Sequence, residues 1–598
     1  MNSNLYIRVA LWSALSANTL SALLCSDINV FWIGARFIAV LFLVIASFCA
    51  VQARIKNFTT TVLLAFACVI LWTQYRIPVW LLVVPAIIDY RRTISTFFFS
   101  VRGITLRDFG YSLGISIAIL SVRQFTTPRV GLLRYTLNQH TDTVHHAAFS
   151  EMIGNFGVVS TGMNGLVETP YHVLSHRLVY ILSRLALTDS FTAYPYVLIL
   201  IYLPLLAVLS SRLVGNTSIA KSSFLVLGLV LVAVKLLRGA FISDVFLSSE
   251  SQVLSIILLL VYLSQRESSL NTQISTGLVA MSLSILATLS KGPIGVILWC
   301  TEVVRTAMAV RKAPVGQLCV FVVGGLLLCI AILYAATGNS GTVNVGFVPF
   351  VNRISTGMSW MQLTTKVVNE SSARQIYTIE YFLGHYSLSV GMLGYGLIKR
   401  NYIGSRLWVA LLVSTLVGLM VDLFLDLGGP NNYWITCIQF YIAVVLLSSK
   451  IVTHRLVNKY SLVGLALLVG ILGIPNFKIK VQEGALKPDS RIKSVLEVVD
   501  NTRKLEHMII RDDTKLASSM STIAPDWKTI GLYFPAYSGQ PWTNIVTEVP
   551  NDKFLGWSYD FYELGSPSNR DIQLQINRQG LKVTNVSEIP IQHSSIKN

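Results

Sequence analysis

Charge is scarce in this chain. Of 598 residues, 13% are Asp, Glu, Lys or Arg, against roughly 25% in a soluble globular protein. Over such a length too little polar surface remains to face water, which excludes a water-soluble fold and makes lipid the natural solvent. Acid is scarcer than base, with 29 Asp and Glu against 47 Lys and Arg and a net charge of +18. In a soluble protein that excess points to nucleic acid. Here the basic residues fall in short connections between apolar stretches, where they set topology and meet anionic head groups, so no nucleic-acid partner is expected. Cysteine is sparse and unpatterned. Cys25, Cys49, Cys68, Cys300, Cys319, Cys329 and Cys437 lie in or beside apolar segments with no CxxC spacing, which excludes a disulfide framework and a thiolate metal site. Internal repeats and low-complexity runs are missing, and so is the charged leader of a cleavable signal peptide. Residues 8–25 are expected to form a signal-anchor helix.

What is abundant is apolar sequence: 53% of residues are hydrophobic and mean hydropathy is +0.61. A helix crosses the hydrocarbon core in about 20 apolar residues. Segments of that kind are expected at 8–25, 31–52, 58–73, 78–90, 108–122, 195–214, 222–238, 250–265, 273–289, 293–309, 316–336, 377–397, 405–425, 432–448 and 460–476. Those at 78–90 and 108–122 are short, and a helical hairpin or a re-entrant pair is the other reading there. The expected fold class is an all-α polytopic membrane protein of about 13–15 spans with a small α/β C-terminal soluble domain. Basic residues occupy every second connection: Arg54 and Lys56, Arg91 to Arg107, Arg212 and Lys221, Arg266, Arg305 to Lys312, Lys399 to Arg406, and Lys450 to Lys459. The positive-inside rule makes that set cytoplasmic. The N-terminus is then cytoplasmic, the connections 123–194 and 337–376 are outside, and so is 477–598. After Pro475 the composition shifts to charged residues and strand-like runs at 530–534 and 571–576, as expected of a small separate domain.

Polar chemistry concentrates in the first outside connection. Of nine histidines, five are His140, His145, His146, His172 and His176. A connection of that length is functional or carries helices of its own. Two are expected: 143–154, with Asp142 placed as its N-cap, and about 171–187, where His172 and His176, four apart, share a face. Both helices are amphipathic and suited to the membrane surface. Asp142 reads as a plain cap or as a reactive acid. The histidines read as interfacial anchors, as substrate ligands, or as metal ligands together with Asp142, although no His-Glu-x-x-His motif is present. On the same side, Asp244 and Glu250 flank an outside turn. Ser290-Lys291-Gly292-Pro293 breaks an apolar run, and its lysine either snorkels or meets a phosphate or carboxylate.

These features together resemble the GT-C superfamily of membrane glycosyltransferases, in particular its protein O-mannosyltransferase-like and aminoarabinose transferase-like branches. The resemblance covers roughly residues 105–310. Asp142 matches the acid near the start of the first outside loop, and Ser290-Lys291-Gly292-Pro293 matches a later Lys-Gly break. The sequence departs from that pattern where Thr143-Val144-His145-His146 follows the acid in place of an Asp-Glu pair. Four candidate spans also precede the loop's entry helix where the family usually has one. The implied organisation is 1–107 as accessory transmembrane helices, 108–476 as a GT-C-like core and 477–598 as an extracytoplasmic domain, in a multi-pass plasma (inner) membrane protein.

The resemblance implies transfer of a sugar from a polyprenyl-phosphate-linked donor to a hydroxyl of a glycan, lipid or protein acceptor. Asp142 would be the general base. Lys291 would meet the departing phosphate, with Arg134, Arg177 or Arg238 as helpers. His145, His146, His172, His176 and Asn164 would hold sugar hydroxyls. The resemblance fixes no cofactor; a divalent cation on Asp244 and Glu250 is the candidate. Two other readings stay open. One is a transporter or flippase of a lipid-linked or anionic solute, for which Asp422 and Asp426 speak, although such proteins put substrate groups near the midplane of paired repeats. The other is a polysaccharide polymerase or ligase, whose late outside loop is rich in Arg and His; here 337–376 contains no His.

Overall fold

The computed structural model describes residues 3–25, 28–55, 58–75, 77–89, 91, 95, 105–122, 141–157, 173–215, 218–236, 247, 249–265, 273–309, 315–337, 346–347, 354–355, 377–399, 405–426, 431–453, 461–471, 508–512, 545–547, 572–577 and 580–585. Up to residue 471 these are almost wholly helical. The helices are α1 (Ser3–Cys25), α2 (Ile28–Ile55), α3 (Phe58–Gln74), α4 (Val84–Ile88), α5 (Leu106–Val122), α6 (Thr141–Phe156), α7 (Leu174–Leu185), α8 (Ser190–Tyr196), α9 (Leu203–Val214), α10 (Ile219–Leu236), α11 (Glu250–Leu263), α12 (Gln273–Ser290), α13 (Gly292–Ala309), α14 (Val315–Thr337), α15 (Ile379–Ile398), α16 (Arg406–Phe424) and α17 (Asn431–Thr453), followed by α18 (Ser461–Ile471). The described core is that of an all-α membrane protein. Ile28–Gln52, Thr192–Val214 and Ile435–Thr453 are long and apolar enough to cross a bilayer, and shorter apolar helices such as Thr59–Gln74, Ile219–Ala233 and Gly277–Ser290 accompany them.

The segment expected as a span at 78–90 is not one. Pro78 and Pro85 each remove a backbone donor, and the chain folds instead as a 3-10 turn, Val79–Val83, running into the five-residue α4. About ten residues in these forms cannot cross the hydrocarbon core. The Trp72 indole N–H donates to the Pro78 carbonyl at 2.7 Å and closes the turn onto the end of α3. Proline shapes another segment too. Pro195 lies inside α8 and Pro204 in the first turn of α9. A π turn, Val197–Tyr202, joins the two into one continuous helix, and all six of its residues are buried. Each proline leaves a carbonyl four residues earlier without its usual partner, and the wider turn lets the ladder pass that gap.

At the centre stands α11. All 14 of its residues are buried, including Glu250, Ser251, Gln252 and Ser255, as befits a helix surrounded by others. Its neighbour is the α12–α13 hairpin, which turns at Lys291. Ser255 Oγ donates to the Ser251 and Ala287 carbonyls at 2.9 and 3.1 Å, and Ser290 Oγ donates to the Ser251 carbonyl at 3.0 Å. Serine serves here because a small side chain lets two backbones approach while its hydroxyl finds a carbonyl. Gly295 does the same within the hairpin. A Cβ there would stand 2.4 Å from the Ser284 carbonyl oxygen and 2.8 Å from the Thr288 nitrogen.

The opposite end of these helices is bound by charge. Tyr262 Oη donates to Glu302 Oε2 at 2.5 Å, and Arg305 grips both carboxylate oxygens of Glu302 at 2.9 and 2.6 Å. Arg406 lies 5.5 Å over the Tyr262 ring and donates to the Gln265 carbonyl at 2.7 Å. Elsewhere Arg212 lies over Tyr6, and Ser218 donates to Asp108. Arg212, Arg305 and Arg406, all placed in basic connections by the sequence, are thus tied to aromatic, acidic or carbonyl partners.

Beyond the helices, Gly346–Phe347 pairs antiparallel with Leu425–Asp426, and Ile354–Ser355 pairs parallel with Tyr377–Thr378. In the C-terminal region β1 (Met508–Asp512), β2 (Ile545–Thr547), β3 (Ile572–Asn577) and β4 (Gly580–Asn585) form one mixed sheet in the order β2-β1-β3-β4, with only β3–β4 antiparallel. The expected strand at 571–576 coincides with β3; that at 530–534 lies outside the described residues.

Gly295→Ala must push α12 and α13 apart, because backbone blocks the new methyl. The expected loss is about 1–3 kcal/mol, read as a lower melting temperature in detergent. Gly391→Ala, inside α15 with nothing within 4 Å, should hold or raise the melting temperature, because alanine is the better helix former.

Candidate functional site

The expected loop helices exist with shifted ends. α6 begins at Thr141, so Asp142 sits in its first turn and does not precede it as an N-cap. α7 begins at Leu174, so Tyr171 and His172 lie outside the described residues. The faces of both helices are covered by protein and not left to lipid. Ala147, Phe149, Met152 and Ile153 of α6 are buried, as are Leu174, Val179, Ile181 and Leu182 of α7.

What holds α6 to α7 and α8 is Glu151, which the sequence reading passed over. Arg184 donates to Glu151 Oε2 and the Ser190 backbone N–H to Glu151 Oε1, each at 2.5 Å. Asp189 caps α8 by accepting from the Thr192 N–H at 2.7 Å, so one short connection supplies both a cap and an anchor. Leu187 pays for this turn with a left-handed backbone, φ 53°, a conformation costly for any residue with a Cβ. Burial pushes the Glu151 carboxyl up, against the pull of Arg184 and the Ser190 N–H. Burial pulls Arg184 down, but Glu151 outweighs it and leaves the guanidinium above its ordinary value. The signal in the sequence was an acid on the apolar side of an amphipathic helix, which needs a partner when buried.

This packing brings three of the sequence-derived candidates together. His146 Nδ1 and His176 Nε2 lie 2.9 Å apart, and His176 Nε2 is 3.9 Å from Glu250 Oε1. His176 and Glu250 are 0% and 1% exposed; His146 is half-buried. The ring of His176 also meets Ser175 Oγ, 3.3 Å from its Nδ1. Phe149 packs edge-on against both imidazoles, and Tyr194 lies parallel to that of His146. Glu250 opens α11, and at the next residue Ser251 receives Ser290, the neighbour of Lys291. The Lys-Gly-Pro break therefore arrives beside the helix end that carries Glu250. Lys291 itself is half-buried, with its N–H donated to the Ala287 carbonyl at 2.7 Å.

The other candidates are placed less fully. Asp142 and His145 belong to α6 by their backbone. His172, Arg238 and Asp244 lie outside the described residues. Arg177, a suggested phosphate helper, donates to Thr73 Oγ1 at 2.6 Å and to Gln74 Oε1 at 3.4 Å, pinning α7 to the end of α3. Glu250, expected at an exposed turn with Asp244, is buried against His176 instead. Asp422 is buried near the end of α16, where it accepts from Tyr386 Oη at 2.8 Å.

No protein-family model matches the chain, and comparison with curated proteins gives no match. Among solved structures, it is similar to the archaeal oligosaccharyltransferase AglB from Archaeoglobus fulgidus, solved in complex with an inhibitory peptide and a dolichol-phosphate. Sequence identity is 12% and the TM-score 0.37 over 73% of this chain. The chain spans 64% of the length of that protein.

Glu151→Ala leaves the buried Ser190 N–H and the 37%-exposed Arg184 side chain without their acceptor. A loss of about 1–3 kcal/mol is expected, read as a lower melting temperature. Glu151→Gln keeps an acceptor for Ser190 and should lose less.

Proposed function

We propose that the protein is a membrane glycosyltransferase of GT-C type. It moves a sugar from a polyprenyl-phosphate-linked donor to a hydroxyl of a glycan, lipid or protein acceptor on the extracytoplasmic face of the plasma (inner) membrane. One observation supports this most. The α6 helix that begins beside Asp142, the histidine of α7, the acid that opens α11 and the Lys291 break converge on one end of the bundle. Residues more than a hundred apart in sequence meet there, through His146–His176–Glu250 and Ser251–Ser290.

In this reading Asp142 accepts the proton of the attacking hydroxyl, since a carboxylate with an ordinary pKa is ionised at neutral pH. Lys291 meets the phosphate as it gains charge on leaving. At a helix break near head-group depth it is held by backbone on both sides, so little reorganisation accompanies the reaction. The helices of 123–194 roof the site, and 477–598 presents the acceptor. The finer organisation belongs to the same reading: about 13–15 spans, with 1–107 as accessory helices, 108–476 as the core, and the N-terminus in the cytoplasm. Transport of a lipid-linked solute is the competing reading. Asp422, its best residue, sits two positions from the end of α16 and is held by Tyr386, as expected of a helix-end tie.

Purified protein offered a panel of radiolabelled polyprenyl-phosphate sugars should transfer one of them. Asp142→Asn should lower that rate by about 10²–10⁴-fold at an unchanged melting temperature; full activity in a folded Asp142→Asn protein would remove the base. Saturable donor binding without transfer by the wild type would favour transport. Lys291→Ala should weaken dependence on the donor more than on the acceptor, and an unchanged donor dependence takes Lys291 out of the phosphate site.

A further inference from the structure

Three potential ligands from three separate helices meet between α6, α7 and α11. His146, His176 and Glu250 each offer one atom, and the three atoms lie within 4.8 Å of one another. We propose that this cluster binds a transition-metal dication of the zinc class, through His146 Nδ1, His176 Nε2 and a carboxylate oxygen of Glu250.

The spacing fits. Zinc bonds of about 2.0–2.1 Å in a tetrahedron set ligand atoms roughly 3.3 Å apart. Two of the three separations, 2.9 and 3.9 Å, lie on either side of that value and the third is no more than 4.8 Å, so seating an ion needs the Glu250 and His146 side chains to close by about an ångström. The donor set selects the metal. Two imidazole nitrogens and one carboxylate suit zinc and its borderline neighbours, whereas magnesium and calcium call for oxygen throughout.

The surroundings fit as well. The Glu250 carboxylate is buried, and a dication seated between it and two imidazoles matches its charge in a place that water does not screen. The Ser175 hydroxyl lies 3.3 Å from the other ring nitrogen of His176, where it can accept from Nδ1–H and orient the ring once Nε2 holds a metal. The aromatic rings of Phe149 and Tyr194 hem in the imidazoles and limit their rotation. Of the three ligands only His146 is not fully buried, so a fourth ligand such as a water or a substrate oxygen would enter from its side. The sequence had suggested Asp244 with Glu250 as a cation site; the packing supplies Glu250 with two histidines.

The proposal concerns binding and stands apart from sugar transfer, so it is tested without an activity assay. Full-length protein bearing no polyhistidine tag is stripped with chelator in detergent and titrated with cobalt(II), then zinc. The expected result is about one cobalt per chain with visible d–d absorption, displaced by zinc and untouched by magnesium. His146→Gln and Glu250→Gln should each weaken cobalt binding by at least ~10-fold. Copper(II) bound to the wild type should show two imidazoles by pulsed electron paramagnetic resonance, a readout that survives even if both variants fail to fold. Absence of a cobalt spectrum would overturn the proposal and leave an imidazole pair sharing a proton. Thiolate-to-cobalt charge transfer, binding unchanged in both folded variants, or a copper signal without two imidazoles would each overturn it by placing the metal elsewhere.

Discussion

The burial of α11 on all sides is the constraint from which the rest of the described core follows. In lipid no hydrophobic gain drives one helix against another, because acyl chains are as apolar as leucine. A helix enclosed entirely by protein is held by close packing and by polar contacts. Both are visible along its length: Ser251 and Ser255 draw in the α12–α13 hairpin, His176 approaches its first residue, and Tyr262, the last but one, engages Glu302. Each contact belongs to a residue that would be costly if turned toward lipid, so rotation of α11 about its axis is opposed at several levels together.

The two ends of this helix are chemically unlike. Toward Tyr262 the charges are matched: a bidentate Arg–carboxylate pair, a phenol donating to the same acid, and a second arginine over the ring. In that network Glu302 accepts from Tyr262 and twice from Arg305. Toward Glu250 the groups are two imidazoles and a carboxylate at mixed distances, ringed by aromatics and bordered by a lysine at a helix break. One helix thus carries an ion-paired end and an end where imidazoles and a carboxylate meet.

Much of this was legible in the sequence, for identifiable reasons. Apolar runs marked the helices, since lipid imposes one solution on the backbone. The run 78–90 failed as a span because hydropathy ignores what Pro78 and Pro85 do to the ladder. His146, His176 and Glu250 were each singled out as polar residues in unusual places. Their convergence was not legible, because local sequence does not say which helices pack together. Glu151 carried a signal, its place on the apolar side of α6, but its partners, Arg184 and the backbone of Ser190, are not marked in local sequence. Asp142 was displaced by a single boundary, the start of α6 at Thr141, which turns an expected cap into a first-turn residue.

At 14 residues, α11 is about 21 Å long, whereas the hydrocarbon core it stands in measures about 30 Å. A helix of that length does not reach both faces by itself. The Glu250 carboxylate, 1% exposed, has protein and not water around it, so a charge brought to that end is screened little and is felt by its neighbours far more strongly than it would be in solvent.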